Sequence, residues 1–226
     1  MICRVSAVFG LAVSGLWPFA GRAQVAFSDY GPGYSYGNGV AWAVTGSGWA
    51  FSNNEDYEIA EQFTSAASGS LSQLILSGYA NTDQAIATMS LRQDSGNVVG
   101  SVMGSWTVTL PPRPGPGQAV GPVFITNTDS SVSLVAGGTY WLEMSAPIGS
   151  NSSFGWYQNG VGFDDLYAYQ INNGAWTTYQ SQIAATFEVD VSPAPEPASV
   201  LLLCAGSASL IRRNRRASRL GRQASV

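Results

Sequence analysis

At 226 residues the chain is long enough for one ordinary domain with processing segments, and too short for two comfortable ones. It contains neither histidine nor lysine, which removes Ser-His-Asp and Cys-His catalysis, histidine metal sites, lysine nucleophiles and phosphate-binding P-loops together. Charge is split: from Gln24 to Pro195 thirteen carboxylates face only Arg92 and Arg113, a net −11, while the flanks carry Arg4, Arg22 and six arginines beyond residue 211. A body this acidic repels nucleic acid and anionic lipid, so no nucleic-acid partner is expected for it.

The first 23 residues are built like a secretory signal peptide. Arg4 precedes an apolar run from Val5 to Phe19, and Gly21 and Ala23 supply small side chains before a cut between Ala23 and Gln24. This reading expects export and a signal peptidase partner. Both cysteines, Cys3 and Cys204, fall in the flanks, so the body between them relies on its core rather than on disulfides.

Residues 24–192 read as a single β domain. A glycine- and aromatic-rich opening contains candidate strands at Val40–Val44 and Trp49–Ser52. Clean alternation follows in Ser105–Leu110, where Trp106, Val108 and Leu110 oppose Ser105, Thr107 and Thr109. It recurs in Ala185–Val191, where Ala185, Phe187, Val189 and Val191 oppose Thr186, Glu188 and Asp190. Weaker strand patterns cover Ala85–Arg92, Thr139–Met144 and Tyr167–Ile171. Turn chemistry separates them: Asp94–Asn97, Ala136–Gly138, and Asn173-Gly174 as a tight hairpin corner. Proline keeps 111–118 out of any strand interior. About ten short strands without a sustained helical period predict an all-β, antiparallel β-sandwich or jelly roll, flanked by an N-terminal signal helix and a short C-terminal transmembrane helix.

Carboxylates are the remaining catalytic candidates. Glu58 with Glu61, or Asp164 with Asp165, would have to flank a sugar as glycosidases require, and adjacent aspartates on a strand point apart; solvated loop acids are the favoured reading. No catalytic residue, cofactor or metal ligand is therefore assigned, and an enzyme is not expected. Asp164, Asp165, Asp94 and Asp129 offer oxygen ligands for calcium without any matching loop motif. Trp156, Tyr157 and Trp176 are the candidate sugar-stacking rings, against the alternative that such aromatics build a core. Thr107 and Thr109 form one threonine pair with no repeat, which is too little for an ice-binding array.

Residues 193–197 form a proline-rich linker containing Pro195, Glu196 and Pro197. Residues 198–216 then hold a short hydrophobic helix and the arginines Arg212, Arg213, Arg215 and Arg216, and 217–226 a basic tail. A helix over the fifteen uncharged residues after Glu196 is about 22 Å long, against roughly 30 Å of hydrocarbon. The arginines held on the cytoplasmic side would place the body outside.

This order resembles the PEP-CTERM sorting signal of Gram-negative envelope proteins, a segment type also labelled ice-binding protein C-terminal domain. The resemblance implies that an exosortase-type membrane protease recognises the tail at the inner membrane and cleaves near the motif. It implies a body delivered to the cell surface or the exopolysaccharide matrix. Within the body, Ala60–Ala80, Met89–Val102 and Leu134–Pro147, with Gly138-Thr139-Tyr140-Trp141-Leu142 inside the last, resemble choice-of-anchor R domains. The expected role is structural or adhesive at the surface, with a carbohydrate-binding module as the alternative.

Overall fold

The computed structural model describes residues 23–37, 41–115, 118–129, 131–160, 166–180 and 184–193. Among them the protein is all-β, with no helix, and its strands form two curved antiparallel sheets. The expected signal segment, the Pro-Glu-Pro motif, the apolar stretch and the arginine cluster lie outside the described residues, apart from Ala23.

The smaller sheet runs β1 (Gln24–Ser28), β14 (Phe187–Pro193), β4 (Gly69–Leu76) and β8 (Val123–Thr126), with the short β9 (Ser133–Leu134) also on β4. The larger sheet follows the order β5 (Gly78–Ala80), β11 (Ser153–Tyr157), β2 (Ala41–Thr45), β3 (Tyr57–Thr64), β10 (Thr139–Ser145), β6 (Ile86–Asp94) and β7 (Val99–Thr109). It branches at β3, which also pairs with β12 (Leu166–Ile171), and β12 carries β13 (Thr177–Gln180). The chain crosses from one sheet to the other at Ser77, between β4 and β5. That corner is fixed: the Tyr157 N–H donates to the Ser77 carbonyl at 2.9 Å, and the Ser77 and Tyr30 hydroxyls bond at 2.9 Å.

The core lies between the sheets, and its centre is aromatic. Phe187 of β14 meets Phe27 at 4.8 Å within the small sheet, and Phe63 of β3 at 5.6 Å and Trp156 of β11 at 5.9 Å across the gap. The alternation expected in Ala185–Val191 holds from Phe187 onward, with Phe187, Val189 and Val191 fully buried, while Thr186, expected on the polar side, is also fully buried just before the strand begins. Val108 of β7 and Leu110 just past its end are buried as expected and Trp106 is partly buried, with Ser105, Thr107 and Thr109 exposed.

Opposite β14, a bulge leaves Ser72 without a counterpart, so Leu71 faces Val191 and Leu74 faces Val189. Both leucines therefore reach the core although three residues apart, which strict period two forbids. Gly155 on β11 lies flat against a ring; a Cβ there would sit 2.3 Å from Tyr79.

Two local expectations are corrected. Trp49–Ser52 is a run of turns, because consecutive i to i+3 bonds (Trp49 to Gly46, Ser52 to Trp49, Glu55 to Ser52, each 3.0 Å) take up its backbone. The hairpin after β12 turns on Asn172 and Asn173, at φ 51° and 54°, one residue before the expected Asn173-Gly174 corner. Asn172 is held there from two sides: its N–H donates to the Asp56 carbonyl at 2.9 Å, and its side-chain oxygen accepts the Asp56 N–H at 2.8 Å. The Asp94–Asn97 turn joins β6 to β7 as expected, with Gly96 and Asn97 left-handed. Pro111–Gly115 runs as a partly exposed loop against β5: the Ala80 N–H donates to the Pro111 carbonyl at 2.7 Å, the Arg113 N–H to the Ala80 carbonyl at 2.9 Å, and the Arg113 guanidinium lies 5.6 Å over the Tyr79 ring.

Candidate functional site

Of the residues expected to direct sorting and processing, only Ala23 and Gln24 fall within the described residues. Ala23 is exposed and Gln24 opens β1 directly opposite Val191 of β14. The first and last strands of the fold are thus hydrogen-bonded neighbours. Whatever precedes Gln24 and follows Pro193 leaves from the same end of the small sheet.

The carboxylates separate into distinct environments. Glu58 and Glu61 point to opposite faces of β3, because they are three residues apart on a strand, so they form no pair. Glu61 is buried on the core side, where one carboxylate oxygen accepts the Ala185 N–H at 3.1 Å.

Glu58 instead meets Glu143 of β10 on the outer face, at 6% and 3% exposure, with Arg92 of β6 ion-paired to Glu143. Burial, reinforced by the Glu143 charge and opposed by Arg92, pushes the Glu58 carboxyl up to about 7. The Arg92 guanidinium also lies 5.7 Å over the Trp176 ring, so the hairpin after β12 covers the cluster. Two carboxyls with a single cation hold a proton; they do not flank an open cleft suited to hydrolysis.

Asp94 and Asp129 serve as turn caps. Asp94 accepts Trp141 Nε1 at 2.8 Å, Gln62 Nε2 at 2.9 Å and the N–H groups of Gly96 and Asn97. Partial burial works against its charged form, yet those hydrogen bonds outweigh it and hold its pKa below the usual value. Asp129 accepts the Ser131 N–H at 2.9 Å, and its pKa is likewise lowered by the bonds from Ser131. Asp164 and Asp165 lie outside the described residues. Among the described residues no group of three or more acidic, cysteine or histidine side chains is arranged to hold a metal ion.

The proposed stacking rings are mostly core. Trp156 is fully buried, with Nε1 donating to the Thr186 carbonyl at 3.0 Å, and Tyr157 is buried against Tyr36 and Tyr79. Neither can receive a sugar. Trp176 is half-buried, with one face against Arg92. Trp42, Tyr167, Tyr179, Tyr169 and Tyr57 form a row of near-parallel rings at 4.7 to 5.6 Å. The three inner rings, Tyr167, Tyr179 and Tyr169, each stack on two neighbours, and Tyr179 is the exposed one among them.

Exposed aromatic surface is found on the outer side of the small sheet. Gly31 and Ser35 pair across a tight turn, and Tyr34 at its tip is held at φ 59°. Its ring meets Tyr30 at 5.2 Å and Phe124 of β8 at 6.3 Å, both edge to face. Tyr34 is 38% and Phe124 54% exposed. The Glu188 charge beside the Tyr34 hydroxyl raises its pKa. A signal for this site was present in the glycine- and tyrosine-rich opening, but no alternation connected it to β8 or β14. No protein-family model matches the chain, and a search of curated proteins finds no match.

Proposed function

We propose that the chain is an exported, non-enzymatic protein of the Gram-negative envelope or extracellular matrix, with a structural or adhesive role. In this reading its two sheets are a β-sandwich of jelly-roll kind, similar to choice-of-anchor R domains. Residues 1–23 direct export and are removed after Ala23. Residues 198–216 hold the precursor in the inner membrane until an exosortase-type protease acts near Pro195-Glu196-Pro197.

The observation that carries this reading is the order of that tail: the Pro-Glu-Pro motif, a short uncharged stretch, then Arg212, Arg213, Arg215 and Arg216. The pairing of β1 with β14 supports it. Every described strand lies between the two cleavage regions, and both segments to be removed attach at one end of the small sheet. Trimming either leaves the ladder intact.

Intact-mass measurement of the surface form tests it. The expected mass lacks the arginine tail, and replacing Pro195-Glu196-Pro197 with alanines leaves an uncleaved membrane form. Surface protein that still carries Arg222 overturns the processing step.

A second reading, a carbohydrate-binding module acting in exopolysaccharide, is favoured by the exposed Tyr34 and Phe124 rings beside Glu188. Retention of the protein on polysaccharide separates it from a purely structural role.

A further inference from the structure

Across the outer face of the small sheet, four residues stand directly opposite one another on successive strands: Ser28, Glu188, Ile75 and Phe124. Ile75 is buried although it points outward. Tyr34 lies beside Glu188 and touches Phe124, the two neighbours of Ile75, so its ring spans the position above that isoleucine.

Two clefts flank this ridge. One, of about 360 Å³, is lined by Ser28, Tyr30, the 31–34 turn and Glu188. The other, of about 500 Å³, runs between Ser105–Thr109 of β7 and Val123–Thr126 of β8 and has Phe124 in its wall. Both fall in the size range of small-ligand sites.

Tyr34 occupies a left-handed backbone position that bulky residues rarely adopt. Glycine or asparagine would make the same turn without strain, so the strain sets a ring where the turn itself needs none. Exposed rings offer apolar faces to the C–H surfaces of sugars. Glu188 and the Tyr34 hydroxyl supply hydrogen-bonding groups on one side, and the exposed hydroxyls of Ser105, Thr107, Thr109 and Thr126 supply them on the other.

We propose that these two clefts, joined over Tyr34 and Phe124, form a binding track for an uncharged polysaccharide. The inference rests on the carbohydrate-binding reading and gives it a site and a ligand class. Clefts on both sides of the ridge fit a polymer rather than a single sugar. Charge selects the polymer: among the described residues no cation lines either cleft, Glu188 lines the first, and the body carries a net −11, so anionic chains are repelled.

Native affinity electrophoresis tests it, using the full-length chain in a detergent without a sugar headgroup. Gels carry dextran, laminarin, glucomannan or the anionic polymer alginate. The expected result is retardation in at least one neutral gel and none in alginate. The apparent affinity falls at least tenfold in both Tyr34→Gly and Phe124→Ser.

Tyr34→Gly relieves the left-handed backbone but uncovers Ile75, two opposed effects, so its Tm is expected to stay near that of the parent while binding is lost. A merely structural tyrosine would not show that split. Retardation unchanged in both variants overturns the track and leaves a carbohydrate site elsewhere. No retardation in any neutral gel, or retardation by alginate alone, overturns the track and the neutral-glycan reading together. The edges of β7 and β8 facing the second cleft are unpaired among the described residues; capture there of an uncharged extended peptide without any glycan binding also overturns the proposal.

Discussion

Glu58 and Glu143 face each other from neighbouring strands on the outer side of the large sheet, with Arg92 bound to the second of them. Two buried carboxyls beside one guanidinium keep a proton that the unfolded chain gives up, and this sets a pH dependence. The Glu58 pKa rises from 4.5 in the unfolded chain to about 7 in the fold. Between those values the folded state binds more protons, so stability falls as pH rises through this window and the full penalty stands above it. Allowing for solvent screening, the penalty is about 2 kcal/mol. The urea midpoint is expected to drop between pH 5 and pH 8. Glu58→Gln flattens that drop and exceeds the parent at pH 8; an unchanged slope in the variant refutes the shared proton.

Removing the cation acts in the opposite sense. Arg92→Met leaves Glu143 buried without its ion pair and uncovers Trp176. The expected loss is about 3 kcal/mol at neutral pH, in the range found when one partner of a buried pair is deleted. Denaturant unfolding at pH 7 measures it, and the double variant with Glu143→Gln is expected to recover part of the loss.

Gly155→Ala places a Cβ into the Tyr79 ring on a strand whose neighbours hold it on both sides. The backbone cannot retreat, so a loss of about 1 to 3 kcal/mol is expected from overpacking. Tyr79→Ala in the same chain should relieve the clash, making the double variant less destabilised than the sum of the singles.

The hairpin after β12 is expected to gain from Asn173→Gly. Both central residues are left-handed, and Asn-Gly is the favoured pair for that geometry. A gain of about 0.5 kcal/mol in unfolding free energy is the expected result. The same change at Asn172 should destabilise, because the Asn172 side chain accepts the Asp56 N–H.

The sequence by itself determined the β class, the alternation of β7 and β14, the Asp94–Asn97 hairpin and the proline loop, because each of these is set within a few residues. Its flanks carried the whole argument for export and sorting, which depends on the order of a linear signal.

Tertiary structure decided what depends on neighbours distant in the chain. The Ser72 bulge turned Leu71 and Leu74 to one side, which no reading of Leu-Ser-Gln-Leu could show. Strand order replaced Glu61 by Glu143 as the partner of Glu58, since cross-strand contact is set by pairing and not by spacing along the chain. The same pairing put Trp156 in the core and brought Tyr34 to Phe124 across ninety residues of sequence. Alternation says which side of a strand an aromatic takes, and only the packing of the second sheet decides whether that side meets protein or solvent.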